Sequence, residues 1–322
     1  MNRILLLHVF LCFPSVLFAQ DIRVREQAVN LLEKANAVST AVHLPDLERT
    51  DTFQVFDNEA GVREGTFTRV VIQGTGRRDE TTFGDYHVIE VHTEKTIAKV
   101  RSHELAPPEV EDLRRLTPIY HLNFDDQDVI HRIDNREVNA RPARCIEFDT
   151  ITGQKSEANE ICVDAANGTL LREKVGDELV ENSEFFAFSG ALMPGRISYS
   201  FAGSPKMEIK QVMASLADAT ANVLAAPPNA QMWQFCKTYR RPFGESMPQP
   251  KPGNGGADSE IVVRGIIARD GRIHDAVVQA SERPEFNAEA LDVIHQWVFT
   301  PALCNGQPND TEASFTLHFQ GR

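Results

Sequence analysis

Cysteine, tryptophan and positive charge are scarce in this chain. Its 322 residues include 5 cysteines, 2 tryptophans and 33 Lys and Arg residues against 46 Asp and Glu residues, which gives a formal net charge of −13. Because phosphate groups are bound by clustered Lys and Arg, this balance disfavours nucleic acid and anionic lipid as partners. One stretch, 237–251, is locally basic, and we interpret it as a solvated linker.

Sequence patterns that carry common catalytic and cofactor chemistry are also missing. The chain contains no G-x-x-x-x-G-K phosphate loop, no G-x-S-x-G turn, no H-E-x-x-H and no C-x-x-C. Glu90 with His92, and the acidic turn 125–128, offer too few suitably spaced ligands for a metal ion. We therefore predict a protein that is not an enzyme, with no catalytic residue, no metal site and no cofactor.

The first twenty residues hold a long apolar run. Arg3 precedes the mostly apolar residues Ile4 to Phe18, and Ala19 offers a small residue for cleavage before Gln20. As a helix this run spans about 22 Å, less than the roughly 30 Å hydrocarbon core of a bilayer. We predict a signal peptide over 1–19 that is cleaved to give a periplasmic or secreted protein. The alternative is an uncleaved signal that anchors the chain in the inner membrane.

If the chain is exported, its remaining cysteines are expected to form disulfides. Cys145, Cys162, Cys236 and Cys304 lie beyond the predicted signal peptide, and an even number favours disulfides in an oxidising compartment. Three pairings are possible. Because Cys145 and Cys162 lie on adjacent strand-like segments, we favour a bridge between them, which leaves Cys236 to pair with Cys304. Four buried free thiols are the alternative.

Short alternating segments broken by Gly, Asn or Asp fill the region from Thr52 to Leu216. This pattern is typical of antiparallel strands joined as a meander. Apolar residues at helical spacing precede the region over 21–39, and Pro107 opens one predicted helix within it that ends at Leu116. A stretch rich in Pro and Gly, 242–256, follows and is typical of a linker.

The C-terminal segment, 258–322, has a clear order of predicted elements. The strand 261–267 is followed by the turn Asp270-Gly271 and a returning strand, 273–280. A helix is predicted over 284–296, followed by the aromatic motif QWVFTPA, the turn NGQP and an alternating final strand over 312–320.

This order of elements and motifs resembles the C-terminal domain of TonB-family energy transducers. More weakly, the leading helix and long meander resemble the half-barrel of periplasmic lipoprotein carriers of the LolA type. Together the resemblances imply an α+β fold, with a β-rich, antiparallel, half-barrel-like N-terminal domain and a small C-terminal ββαβ domain of TonB type. We predict four segments: a signal peptide (1–19), the β-rich domain (20–227), a Pro/Gly-rich linker (228–257) and the TonB-like domain (258–322).

In the TonB family, the strand that corresponds to 312–320 receives a short peptide from an outer-membrane transporter. The resemblance implies that the last strand binds a partner here, through Ser314, Phe315, Thr316, Leu317, His318, Phe319 and Gln320. The predicted function is a non-catalytic periplasmic protein that binds a peptide or envelope-protein partner, such as an outer-membrane transporter, by strand addition. The alternative is a carrier that holds a lipid or other apolar ligand in the N-terminal half-barrel.

Overall fold

A computed structural model describes residues 15–39, 45–57, 61–103, 105–116, 122–125, 128–152, 155–216, 221–250, 259–281 and 283–319. The first fourteen residues, which hold most of the predicted signal peptide, lie outside these ranges, as does Gln320. In the described residues, no helix combines the length and the apolar character that crossing a bilayer requires.

Strands dominate the described structure, as the alternating sequence predicts. The helices are α1 (Ser15–Ser39), α2 (Pro108–Leu116) and α3 (Asn287–Ile294), with short 3₁₀ turns at Ala221–Leu224 and Pro284–Phe286. The first fourteen strands are β1 (Leu47–Asp57), β2 (Gly61–Ile72), β3 (Gly76–Phe83), β4 (Tyr86–Thr93), β5 (Thr96–Arg101), β6 (Asp128–Val138), β7 (Arg141–Thr152), β8 (Lys155–Asp164), β9 (Leu170–Val175), β10 (Glu178–Ser183), β11 (Phe186–Phe188), β12 (Ala191–Met193), β13 (Arg196–Phe201) and β14 (Ser204–Ser215). The remaining strands are β15 (Gln231–Gln234), β16 (Tyr239–Arg240), β17 (Phe243–Ser246), β18 (Ser259–Ile267), β19 (Ile273–Ser281), β20 (Val298–Thr300), β21 (Ala302–Cys304), β22 (Gln307–Asn309) and β23 (Thr311–Phe319).

The chain forms two compact units that are interleaved in sequence. Unit 1 comprises Met1–Gly65 and Arg115–Leu216, and unit 2 comprises Thr66–Arg114 and Ala217–Arg322. The C-terminal segment therefore shares a compact unit with β3, β4, β5 and α2. The four predicted linear segments stay a prediction.

Unit 1 is a large antiparallel sheet with one long helix. Its strands lie in the order β1-β14-β13-β10-β9-β8-β7-β6. The helix α1 buries residues at helical spacing, Ala28, Leu31, Leu32 and Ala35, in one apolar cluster with residues of β6, β7 and β8. Periodicity alone predicts this helix over 21–39, and in the structure it begins earlier, at Ser15.

The predicted disulfides are confirmed in both units. In unit 1, Cys145 and Cys162 are direct partners in the antiparallel β7–β8 pair, and their sulfurs are bonded. In unit 2, Cys236 is bonded to Cys304, which lies in β21. Each bridge therefore closes a loop within one unit.

The C-terminal part of unit 2 is built on the predicted hairpin. The strands β18 and β19 flank the turn at Asp270-Gly271, and the sheet order is β19-β18-β23. Gly271 has φ 79°, and a Cβ there would lie 2.0 Å from the backbone oxygen of Phe299. The turn therefore needs glycine for its left-handed backbone and for its close approach to β20. The predicted helix is divided between the 3₁₀ turn that begins at Pro284 and α3, which ends at Ile294.

Ordered strands also occupy part of the predicted linker. The strand β15 pairs with β5, β16 pairs with β21, and β17 pairs with β20. Trp297 Nε1 donates a hydrogen bond to the backbone oxygen of Pro248 at 2.9 Å. The prolines of this stretch favour a linker. In the structure, pairing of the short strands satisfies backbone N–H and C=O groups and so orders the stretch.

Candidate partner-binding edge

The predicted partner-binding strand, β23, lies at one edge of the sheet β19-β18-β23. It pairs with β18 in nine consecutive antiparallel residue pairs, from Ser259↔Phe319 to Ile267↔Thr311, without a register shift. In the part of the chain that the structure describes, β18 is the strand with which β23 pairs. An edge strand presents unpaired N–H and C=O groups along its other side, which can pair with a further strand.

The predicted site residues alternate between two faces of β23. Ser314, Thr316 and His318 are exposed, whereas Phe315, Leu317 and Phe319 are buried. This is the half-buried pattern that the sequence predicts. A partner that adds to the edge would contact exposed side chains on one face and backbone along the edge.

The buried face of β23 belongs to an aromatic core. Phe315 lies edge-on to Trp297, with ring centroids 5.5 Å apart, and Phe319 stacks on Phe286 at 5.1 Å. The same cluster includes Phe299 and residues of α3. The motif QWVFTPA therefore supplies core side chains that hold β23 in place. Phe315, Leu317 and Phe319 are core residues that pack against it.

The opposite edge of this sheet is irregular. The β18–β19 pairing shifts register at two places, between Val262 and Val263 and between Arg264 and Ile266. Asp275, in the second irregularity, has φ 51°. Bulged edges disfavour the addition of another strand, so β23 is the regular edge of the two.

An ionic cluster holds the beginning of β23 within unit 2. Glu312 forms ion pairs with Arg101 of β5 and, at 3.3 Å, with Arg264 of β18. The Arg264 side chain is 8% exposed and also donates to the backbone oxygen of Ala106. Lys99 Nζ lies 3.9 Å from the Glu312 carboxylate. Three cations from two strands therefore face one carboxylate on β23.

The cluster continues through Glu90 on β4. Its carboxylate pairs with Lys99 at 2.9 Å and with Arg114 of α2 at 2.8 Å, and His92 lies 3.3 Å away. Burial opposes ionisation of Glu90, but the hydrogen bond with His92 and the charges of Arg114 and Lys99 outweigh it and lower its pKa well below the usual range. Glu90 is therefore ionised at neutral pH and adds a second carboxylate to the cations of the cluster.

Sequence reasoning did not single out this cluster. Its one signal is Arg264, a charged residue inside the apolar strand sequence IVVRGII. A buried charge requires a partner, so such a residue marks a contact with another element. The partners of Arg264 could not be named from the sequence, because Ala106, Glu111 and Glu312 are all far from it along the chain.

Two groups of potential metal ligands are already engaged with protein partners. Glu90 and His92 do come together, but Lys99 and Arg114 neutralise the carboxylate. Cys145, Glu160 and Cys162 also lie close together, but both sulfurs belong to the disulfide and cannot act as thiolate ligands. In the acidic turn, Asp128 accepts a hydrogen bond from the backbone N–H of Asp125.

Comparison with known proteins supports the C-terminal resemblance. Residues 254–320 match the family described as Gram-negative bacterial TonB protein C-terminal, which is about a fifth of the chain. The predicted resemblance of the C-terminal segment to this family is thus confirmed. No curated protein matches the chain.

Solved structures match the chain at low sequence identity. An outer membrane lipoprotein-sorting protein domain from Vibrio parahaemolyticus is 8% identical, with a TM-score of 0.42, over 62% of this chain and 97% of that one. A LolA superfamily protein from Nitrosomonas europaea is 10% identical, with a TM-score of 0.38, over 61% and 96%. A DUF1329 family protein from Desulfovibrio piger is 10% identical, with a TM-score of 0.43, over 63% and 97%. The titles of the first two name the lipoprotein-sorting and LolA proteins that the N-terminal sequence resembles.

Proposed function

We propose that this chain is a non-catalytic periplasmic protein that binds an extended segment of an envelope-protein partner by strand addition to β23. An outer-membrane transporter is the partner that the TonB-type domain favours. The observation that carries the proposal is the regular outer edge of β23, which continues for nine residues in register with β18. Backbone hydrogen bonds along such an edge supply most of the affinity in strand-addition complexes.

The way β23 is held also supports this role. Its buried face packs on Trp297, Phe299 and Phe286, and its first residues are fixed by the pairing of Glu312 with Arg101 and Arg264. A strand that is already ordered loses little conformational entropy when a partner binds. The partner segment would bear most of that cost.

The cysteines support an extracytoplasmic location. Disulfides persist in oxidising compartments such as the bacterial periplasm. The disulfides Cys145–Cys162 and Cys236–Cys304 use all the cysteines beyond the predicted signal peptide. Periplasmic residence is therefore part of the proposal.

Site-specific photo-cross-linking in the native envelope tests the proposed edge. A photoreactive amino acid at Thr316 or His318, both exposed on β23, is expected to give discrete heavier adducts with a partner protein. The matched control is the same amino acid at Gln279, which is exposed on β19, the irregular edge. Equal adducts from both edges, or none from β23, would contradict the proposal.

The carrier function remains the second candidate and needs an apolar site in unit 1. In the described residues, α1 packs on the apolar face of β6, β7 and β8. A cavity of about 230 Å³ in unit 1 is lined by both polar and apolar side chains, among them Asn139, Arg141, Phe185 and Leu192. Native mass spectrometry of the purified protein would distinguish the candidates, because a carrier retains lipid and a strand-addition protein gives the mass of the chain alone.

A further inference from the structure

Exposed apolar side chains are concentrated in the segment 235–247, just before the TonB-type domain. Phe243 is 72% exposed, Tyr239 51%, and Phe235 and Met247 are each 46% exposed. Single exposed apolar residues are ordinary on a protein surface, but four in thirteen residues are not. The proposed function does not explain the exposure of these four side chains, and we call 235–247 the apolar-basic segment.

Cations are interleaved with these side chains. Lys237, Arg240 and Arg241 are exposed, and none of them takes part in an ion pair in the described part of the chain. Glu245, the acidic residue of the segment, accepts a hydrogen bond from the Thr300 hydroxyl at 2.6 Å. The segment thus carries a formal charge of +2 in a chain of net charge −13.

The strands that pair with this segment add no negative charge. The strand β16 pairs with β21, and β17 pairs with β20. Both partner strands belong to 296–309, which contains no Asp, Glu, Lys or Arg. The positive charge of the segment is therefore not cancelled by the strands it pairs with.

The segment is fixed in the fold and does not behave as the solvated linker that its composition predicts. Cys236 is bonded to Cys304, and the Asn305 side chain hydrogen-bonds with the backbone at Phe235, Lys237 and Thr238. Its aromatic and cationic side chains are therefore presented from an ordered backbone. Such order lowers the entropic cost of binding a surface.

We propose that the apolar-basic segment docks on an anionic phospholipid surface. Aromatic rings are favoured at the boundary between headgroups and acyl chains, and Lys and Arg are attracted to anionic headgroups. The net charge of the chain predicts the opposite, but screening limits repulsion between distant charges to about 8–10 Å at physiological salt. The charges within that range of the docked segment decide the interaction, and along the segment and its partner strands these are mainly positive.

Co-sedimentation of the full chain with lipid vesicles tests the proposal. The chain is expected to sediment with vesicles of phosphatidylglycerol and phosphatidylcholine, less at high salt, and much less with phosphatidylcholine alone. Each cation near an anionic surface contributes about fivefold to binding, so Lys237→Gln, Arg240→Gln and Arg241→Gln together should weaken it about 100-fold. Phe243→Ser should weaken it about tenfold, since this ring is mostly exposed in the free protein.

The control is a second triple variant with the same net charge. Lys34→Gln, Lys174→Gln and Lys210→Gln remove three exposed cations outside the segment and should leave binding unchanged. Equal losses in the two triple variants would overturn the proposal, because binding would then depend on net charge alone. Failure of the wild type to bind anionic vesicles, or equal binding to phosphatidylcholine alone, would also overturn it. So would a dimer in solution that Phe243→Ser converts to a monomer, because a second copy would then cover the segment.

Discussion

Replacing Glu312 with Gln is expected to destabilise unit 2. The substitution keeps the size of the side chain and removes a carboxylate that faces Arg101, Arg264 and Lys99. Removing one partner of a fully buried ion pair costs about 3–5 kcal/mol. The Glu312 side chain is 24% exposed, so solvent lowers this cost, and we expect about 2–3 kcal/mol.

Urea denaturation followed by tryptophan fluorescence measures this effect selectively. The chain contains 2 tryptophans, Trp233 and Trp297, and both lie in unit 2. With a slope of about 1–3 kcal/mol per molar urea, the expected loss lowers the midpoint by about 1 M. The disulfides stay oxidised in this assay, so the change in urea midpoint measures the effect of the ionic cluster.

Glu260→Gln is the matched control on the neighbouring strand. Glu260 pairs with His318 at 3.1 Å, but both side chains are more than half exposed, so its removal should cost less than about 1 kcal/mol. The two variants make the same chemical change in the same sheet. Equal midpoints for Glu312→Gln and Glu260→Gln would refute the view that the ionic cluster stabilises unit 2.

Three further outcomes follow from the structure. Replacing Cys236 and Cys304 with Ser opens a loop of sequence separation 68 and should cost about 4 kcal/mol, measured as a loss of urea midpoint in the tryptophan signal. Replacing Cys145 and Cys162 opens a loop of separation 17 and should cost about 3 kcal/mol, measured as a loss of urea midpoint by circular dichroism. The pKa of Glu90 is lowered in the fold, so its stabilisation is complete above its unfolded pKa, near 4.5, and is lost as pH falls below it. Glu90→Gln should therefore make the tryptophan midpoint less sensitive to acid than that of the wild type, and equal acid sensitivity would contradict this.

The sequence was most informative where structure depends on neighbours in the chain. The Asp270-Gly271 turn, the alternation of Phe315, Leu317 and Phe319, and the helical spacing of Ala28 and Leu32 all follow from local backbone geometry. The β7–β8 disulfide could also be predicted, because a hairpin places residues that are near in sequence opposite each other. These features require no knowledge of distant contacts.

Contacts between distant segments could not be predicted in the same way. The ionic cluster joins Glu90, Arg101 and Arg114 to Arg264 and Glu312, and sequence spacing carries no sign of such pairs. The ordered backbone of the apolar-basic segment could not be predicted either, because its prolines and cations are equally typical of a linker. Its order comes from pairing with β20 and β21 and from the Cys236–Cys304 bond.

Amide hydrogen exchange along β23 tests strand addition most directly. Successive N–H groups of a strand point to opposite sides, so in the free protein those that face β18 are protected and the alternate ones exchange fast. We predict that the partner captured at Thr316 or His318 protects the fast amides of 314–319 and leaves those of β19 unchanged. Uniform protection of β23 in the free protein, or protection by the partner on β19 instead, would contradict the account.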